Sequence, residues 1–452
     1  MVFADWFNDL GGGVVITGKR VLCAACPIIG HAIPTAALAL EFQRAGNDVV
    51  MVTDQSALAE MYQKLDLRYI DIRGNSSTQA ESFATMLSIL RDYDPDITVT
   101  DWRRDLWYAQ DCLAPRCRVS ILRCELFLGY ERRSPILPDQ PQFTSETPDQ
   151  RRLRAMFGKK PVHDPRVLCA GEAIVVPSVP ELDPPPASME RDYPNSTFIY
   201  TGPLFLKKVF DSIPPDLEQW CADQRSKGRS IVAVTTGTDW GREFCVRLVQ
   251  SMECAKFSCV LIIPRLRPGD ADRYSHPHLR ILQGCRLDEA VALCDVVVHH
   301  CGQKTYQAVV LAGKPSITIP SYSYDRQDNA IRLEELGCGI HLHDGLYRNG
   351  LDIEMLNDAV ERVICDNAMA QATARMAARL ASFMAERGPS YVLNVLEKRD
   401  LVRPRPNRLI RRKPRPQYLL PRFPWLRIWL HSSRERLRNF VMRSLRAVWP
   451  AC

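Results

Sequence analysis

Residues Arg20 to Thr53 read RVLCAACPIIGHAIPTAALALEFQRAGNDVVMVT. An apolar run leads into Gly30-His31 and Pro34. From Thr35 the segment TAALALEFQRAG places apolar residues at helical spacing and closes on Gly46, a residue suited to ending a helix. A second apolar run, DVVMVT (48–53), follows at once. This spacing predicts strand, helix, strand. A crossover of that kind makes the strands parallel neighbours in a doubly wound α/β sheet.

Working outward, Ile97 to Thr100 form another short apolar strand that ends at Asp101. Ligands of such sheets sit beyond the carboxyl ends of the strands, where both His31 and Asp101 fall. Residues 128–166 are rich in Pro and Arg and read as an irregular insertion over one face of this half. A strand is expected from Leu168 to Val176, and VPSVPELDPPPAS (176–188) reads as a surface passage. From Ser230 the pattern repeats: IVAVTTGTDWG is again strand, glycine turn and helix. Further strands are predicted at CVLIIP (259–264), DVVVHH (295–300) and SITIP (316–320).

The chain therefore divides into an N-terminal extension (1–18), a first Rossmann-like domain (19–204), a linker (205–229), a second Rossmann-like domain (230–400) and a tail (401–452). At 452 residues, 46% hydrophobic and 25% charged, it is long enough for two cores. The charge is divided unevenly. Fourteen of the 59 basic residues but only one of the 52 acidic ones, Glu435, lie beyond residue 400, so the body carries 45 basic against 51 acidic residues. Nucleic-acid binding requires a basic face on the folded body, and this division argues against one. The sixteen cysteines sit mostly inside apolar runs, which argues for buried thiols rather than a disulfide framework or a zinc site. Cys23 and Cys26 have redox spacing without the context a redox pair needs. No stretch approaches the ~20 apolar residues of a membrane span, and Asp5 and Asp9 do not suit an export signal, so a cytoplasmic body is expected.

The tail reads differently. Residues 403–424 hold six prolines and eight basic residues, too interrupted to pack. From 425 to 449 apolar residues such as Leu437, Phe440, Val441 and Leu445 recur at helical spacing, with Trp425, Trp429 and Trp449 among arginines. That composition suits an amphipathic helix on an anionic membrane surface. Folding back onto the acidic body is the other use such a tail has.

Three segments carry a resemblance. Gly30-His31-Ala32-Ile33-Pro34 resembles the GHxxP turn of GT-B glycosyltransferases, the group that includes plant and bacterial natural-product enzymes. Val297 to Gly302 (VVHHCG) resembles their HHGG or HCG turn. Ala312-Gly313-Lys314-Pro315, followed by Asp325-Arg326-Gln327-Asp328-Asn329-Ala330, resembles their AGxP and DQxxNA segment. The three occur in family order and register across about 19–400.

The resemblance implies a GT-B fold, two Rossmann-like domains facing a cleft, with the basic amphipathic extension appended. It implies an inverting hexosyltransferase in which His31 is the base and Asp101 orients it. His300, Gly302, Lys304 and Thr305 would hold the diphosphate, across from Thr236, Gly237 and Thr238. Asp325, Arg326 and Asn329 would serve the donor sugar, and Cys285 stands at the nucleobase position. A neutral-range pKa suits histidine to general-base work, and a helix start suits a diphosphate. Lys304 brings a full charge where the family usually has a small or amide residue, which predicts tighter phosphate binding. His299 is expected to pack.

Departures are also visible. Gly284-Cys285-Arg286-Leu287 replaces an aromatic residue followed by Pro-Gln. Ala308 replaces the glutamate that grips the ribose, with Gln307 one place earlier. Arg326 replaces the glutamine that reads the hexose, so the Asp-Arg-Gln sequence resembles the N-acetylglucosaminyl branch. The expected partners are a nucleotide sugar, a UDP-sugar first, and a hydrophobic small-molecule or lipid acceptor, without metal. A non-catalytic membrane-docked partner of another glycosyltransferase and a sugar-nucleotide 2-epimerase are the competing functions.

Overall fold

A computed structural model of the chain describes residues 16–74, 78–113, 115–127, 130–131, 146–206, 209–235, 256–263, 276–320, 324–342 and 353–402. The first half runs β1 (Arg20–Ala24), α1 (Ile29–Arg44), β2 (Asp48–Thr53), α2 (Ser56–Lys64), β3 (Tyr69–Asp71), α3 (Gln79–Tyr93), β4 (Ile97–Thr100), α4 (Arg104–Leu113), β5 (Cys117–Ile121), α5 (Pro148–Ala155), β6 (Ala173–Val176), α6 (Met189–Asp192) and β7 (Thr197–Tyr200). Its strands form one parallel sheet in the order β3-β2-β1-β4-β5-β6-β7. Val21 pairs with Val49 on one side and Ile97 on the other, so β1 and β4 flank the point where the winding reverses. The central strands are buried because helices cover both faces of the sheet, as VLCA of β1 and ITVT of β4 show.

The second half runs α7 (Leu217–Ser226), β8 (Ser230–Thr235), β9 (Phe257–Ile263), β10 (Leu279–Gln283), α8 (Leu287–Ala292), β11 (Val296–His299), α9 (Gln303–Leu311), β12 (Ser316–Thr318), α10 (Tyr324–Glu335), β13 (Gly339–His341), α11 (Ile353–Cys365), α12 (Asn367–Arg387) and α13 (Pro389–Lys398). Its sheet, also parallel, has the order β10-β9-β8-β11-β12-β13, with the reversal between β8 and β11.

Three local readings are corrected. The first helix starts at Ile29, not at Thr35, and takes His31 and Pro34 inside it. The Ile28 carbonyl accepts from the His31 and Ala32 amides, which closes the first turn. Pro34 is the sixth helical residue, so the one bond it forgoes is to the Gly30 carbonyl in that half-exposed turn. Within the expected irregular insertion, Thr147-Pro148-Asp149-Gln150 starts α5 with a capping box between Thr147 and Gln150. The buried Arg154 then pins α5 down through Glu146 and through Asp111 at 2.6 Å, beside the Tyr108 ring. Third, α7 lies inside the segment read as a linker, and its Leu217 and Cys221 pack with Ile231 and Ala233 of β8.

The two halves are sewn together. The passage 176–188, expected at the surface, is instead largely buried between them: Val179 and Leu182 share an apolar cluster with Tyr306 and Val310 of α9 and with Leu380 and Phe383 of α12. Gly202 adopts φ +69 where the chain crosses, and a Cβ there would lie 2.8 Å from Met384 Cγ of α12. The chain then returns, and Val392, Leu393 and Leu396 of α13 pack into the core beside α1. Among the described residues no helix is long and apolar enough to cross a membrane. The predicted tail helix at 425–449 and nearly all of the N-terminal extension lie outside the described residues.

Candidate active site

The carboxyl ends of β1 and β4 lie side by side, and each delivers one member of a pair. Asp101 follows β4 directly and is buried. Its Oδ1 accepts the Cys26 backbone amide at 2.6 Å, which leaves Oδ2 to meet His31 Nδ1 at 2.7 Å. His31, in the first turn of α1, keeps 41% of its side chain exposed against 4% for Asp101. A carboxylate partner places the proton on Nδ1, so Nε2 is the nitrogen presented to a ligand. Burial on its own lowers the imidazole's pKa, but the charge and hydrogen bond of Asp101 outweigh it, and the net direction is upward.

Beneath the pair sits a residue that the motifs did not mark. Arg103, 5% exposed, donates to the Ala25 carbonyl at 3.1 Å, pairs with Asp54 at 3.2 Å and reaches Asp105. One guanidinium thus ties together the ends of β1 and β2 and the start of α4. The only sequence signal was an arginine two places after a strand-terminal aspartate.

In the second half β11 ends in two histidines of different use. His299 Nδ1 accepts the Cys301 amide at 3.1 Å, so its Nε2 carries the proton and donates to Ser316 Oγ at 3.0 Å. It is fully buried, as a packing residue should be. His300 is 5% exposed, and burial pulls its pKa down to about 4, with the Asp325 charge opposing. It is therefore a neutral imidazole at physiological pH. Cys301 holds a left-handed backbone at φ +62, and Gly302 opens α9. A Cβ on Gly302 would lie 2.6 Å from His300 Nε2, so only glycine lets that nitrogen stand over the helix N-terminus. Free amides and the helix dipole there favour an anion.

The other residues expected at the donor site divide. Thr305 lies half-buried in the first turn of α9. Asp325 and Arg326 open α10, half-buried, and Asn329 is buried one turn later, its Nδ2 donating to the Cys301 carbonyl at 2.9 Å. Lys304 has a different partner from the one expected. Its Nζ donates to the Leu204 carbonyl at 3.0 Å and lies 5.6 Å over the Phe205 ring, on the segment that joins the halves. Burial draws its pKa down to about 7. Gln307 is likewise committed across the boundary, donating to the Pro177 carbonyl at 2.8 Å. Cys285 is buried among Leu217, Leu282 and Ala290, and the backbone beside it pairs with Asp211. Thr236, Gly237 and Thr238 lie outside the described residues.

The charge of Asp325 is felt at both sites: it raises the pKa of His31 from across the domain boundary and opposes the effect of burial on His300 from its own side. Sequence reasoning also passed over Arg123, whose guanidinium crosses the same boundary to Asp325 and Asn329. Only an arginine just past a strand, without a motif, pointed to it.

With this geometry described, comparison with known proteins is informative. Residues 275–398 match the domain described as erythromycin biosynthesis protein CIII-like, C-terminal domain. A sterol 3-beta-glucosyltransferase of Vanderwaltozyma polyspora is 24% identical over 213 residues, spanning 43% of this chain and 16% of that protein. An aclacinomycin-T 2-deoxy-L-fucose transferase of Streptomyces galilaeus is 26% identical over 121 residues, 27% of this chain and 26% of that protein. The chain thus spans about a sixth to a quarter of the length of these curated relatives. Among solved structures, a spinosyn forosaminyltransferase superposes with a TM-score of 0.63 at 17% identity, over 85% of this chain and all of that one. A spinosyn rhamnosyltransferase complexed with thymidine diphosphate superposes with a TM-score of 0.59 at 19% identity, over 84% of this chain and all of that one. The fold is GT-B.

Proposed function

We propose that this GT-B chain is an inverting glycosyltransferase that moves a hexose from a nucleoside diphosphate to a hydroxyl of an apolar acceptor. The observation that carries the reading is the His31–Asp101 pair: an accessible imidazole, its Nδ1 at 2.7 Å from a buried carboxylate, in the field of an aspartate from the opposite domain. His31 Nε2 takes the acceptor proton as the hydroxyl oxygen attacks the anomeric carbon. The bond from that carbon to the diphosphate breaks, and the nucleoside diphosphate leaves with the bonding pair. A single displacement from the opposite face inverts the configuration. Asp101 holds the tautomer and stabilises the imidazolium, and general-base assistance of this kind is worth about 10²–10⁴ in rate.

The leaving diphosphate gathers charge at the N-terminus of α9, where backbone amides and the neutral His300 receive it without a metal. In this reading Asp325 is assigned to the hexose hydroxyls. A UDP-sugar is the first candidate donor. The thymidine diphosphate bound by a solved neighbour makes a dTDP-sugar the direct competitor. An apolar small-molecule or lipid acceptor fits the relatives named for a sterol and for aclacinomycin. The basic segment 403–449 is assigned to an anionic membrane surface, at about 1 kcal/mol per basic residue near the bilayer.

Thermal unfolding with UDP, dTDP and GDP tests the donor half of this reading. A ligand at about 100 times its Kd adds roughly 2.7 kcal/mol to stability. A shift with one nucleotide is expected and names the donor class. No shift with any of them overturns the enzyme reading in favour of a non-catalytic partner.

A further inference from the structure

Arg123 follows β5 in the first half, yet most of what its guanidinium touches is in the second. Nη2 donates to Asn329 Oδ1 at 2.6 Å and pairs with Glu125 at 2.8 Å, while Nη1 lies 3.5 Å from Asp325 Oδ2. Asn329 passes the contact on. With its oxygen taken by Arg123, its amide nitrogen is turned to the Cys301 carbonyl at 2.9 Å. Cys301 is the residue held at φ +62 between His300 and Gly302. A side-chain-bearing residue in that region is disfavoured and stays there only when its surroundings fix it. The hydrogen bond from Asn329 is such a fixture, and Arg123 fixes Asn329. The relay runs from the acceptor half, through α10, into the turn that starts α9.

We propose that Arg123 is a positioning residue that makes the diphosphate site depend on the docking of the acceptor half, so that a nucleoside diphosphate binds tightly only while Arg123, Asn329 and Cys301 are in line. This rests on the reading above in one respect, that the N-terminus of α9 receives the diphosphate. The geometry requires arginine. Two of its terminal nitrogens serve Glu125, Asn329 and Asp325 at once, whereas a lysine ammonium is a point charge that reaches Glu125 but does not span the fork. Linkage makes the coupling reciprocal: a bound diphosphate tightens the domain contact as much as the contact tightens the diphosphate.

A purely structural role is the rival, because Glu125 and Asp183 are buried close to this one cation and burial raises the pKa of both carboxyls. Arg123→Lys separates the two roles by keeping the charge and losing the fork. Asn329→Ala keeps the Arg123–Glu125 pair and breaks the relay one step further on, so it decides the matter if the lysine variant does not fold. The readouts are the dissociation constant of whichever of UDP, dTDP or GDP stabilises the wild type, measured by calorimetry, and the melting temperature without ligand. The expected result is an affinity loss of about ten-fold in each single variant, no further loss in the double variant, and a small change in melting temperature for Arg123→Lys. Unchanged affinity in both single variants, or losses that simply add, overturns the proposal and leaves the donor reading standing. A wild type that binds none of the three nucleotides overturns both.

Discussion

The two halves of the molecule have the same frame and opposite histidines. In each, a parallel sheet reverses its winding beside its first strand, and the residues just past β4 and β11 occupy corresponding places. The first half puts a carboxylate there, Asp101, and the imidazole it faces is accessible and shifted upward. The second half puts an imidazole there, His300, which is buried and shifted down to about 4. The same backbone therefore carries an imidazole held toward protonation on one side and a neutral imidazole on the other, the two roles the proposed reaction uses. A neighbouring carboxylate outweighs burial at His31, and burial outweighs the carboxylate charge at His300.

The largest effect belongs to the first half. His31→Ala is expected to lower kcat about 10³-fold while the dissociation constant of the nucleotide stays within a factor of two, because the proposed diphosphate contacts lie in the other domain. Loss of nucleotide binding in that variant would break the comparison. Asp101→Asn is expected to cost about 10²-fold and to move the acid limb of the pH dependence of kcat/KM. The carboxylate holds the His31 pKa above its ordinary value. Activity falls as pH drops through that pKa, because the base becomes protonated. Removing the negative charge lowers the pKa, so the acid limb moves to lower pH even as the plateau drops. An acid limb that stays in place assigns it to another group.

In the second half, Gly302→Ala tests whether the turn is a cradle or only a turn. Gly302 sits at φ −62, which alanine accepts, so folding is expected to survive. Its Cβ would lie 2.6 Å from His300 Nε2, which pushes the ring off the helix start. Losing a hydrogen bond to a charged phosphate is worth about 1.5–3 kcal/mol, so nucleotide affinity measured by calorimetry should drop ten-fold or more. Full affinity in this variant would place the diphosphate elsewhere.

What was legible in the sequence follows the same division. Strands such as DVVMVT and ITVT are buried on both sides and read as unbroken apolar runs, and both occur where the pattern placed them. His31 and Asp101 were legible because a strand end followed by a titratable residue is a local pattern, and the sheet brings the two ends together. The start of α1 was misread because Pro34 looks like a boundary, whereas the helix runs through it and gives up one bond, to the Gly30 carbonyl in the half-exposed first turn. Helix α5 was missed among arginines although Thr147, Pro148 and Gln150 carry a local start signal, and the contact that holds it down, Arg154 on Asp111, is tertiary. Arg103, Arg123 and Gln307 share that reason. Each acts on a backbone or carboxylate distant in sequence, and no local spacing encodes such a contact.

Lys304 gives the smallest effect and the sharpest test of where motif reasoning stops. From its place at the start of α9 a full charge on the diphosphate was the natural expectation. In the folded chain its ammonium donates to the Leu204 carbonyl and lies over Phe205, facing the crossing between halves. Lys304→Met keeps the aliphatic stem and removes only the polar head. If the crossing is where Lys304 acts, the variant loses about one net hydrogen bond, near 1 kcal/mol, and its melting temperature falls by roughly 2 °C. Nucleotide affinity then stays within a factor of two. A ten-fold loss of affinity with an unchanged melting temperature would mean that the ammonium leaves Leu204 for the phosphate when the donor arrives. The second half would then hold its anion by charge as well as by neutral donors, and the contrast between the two histidine sites would narrow accordingly.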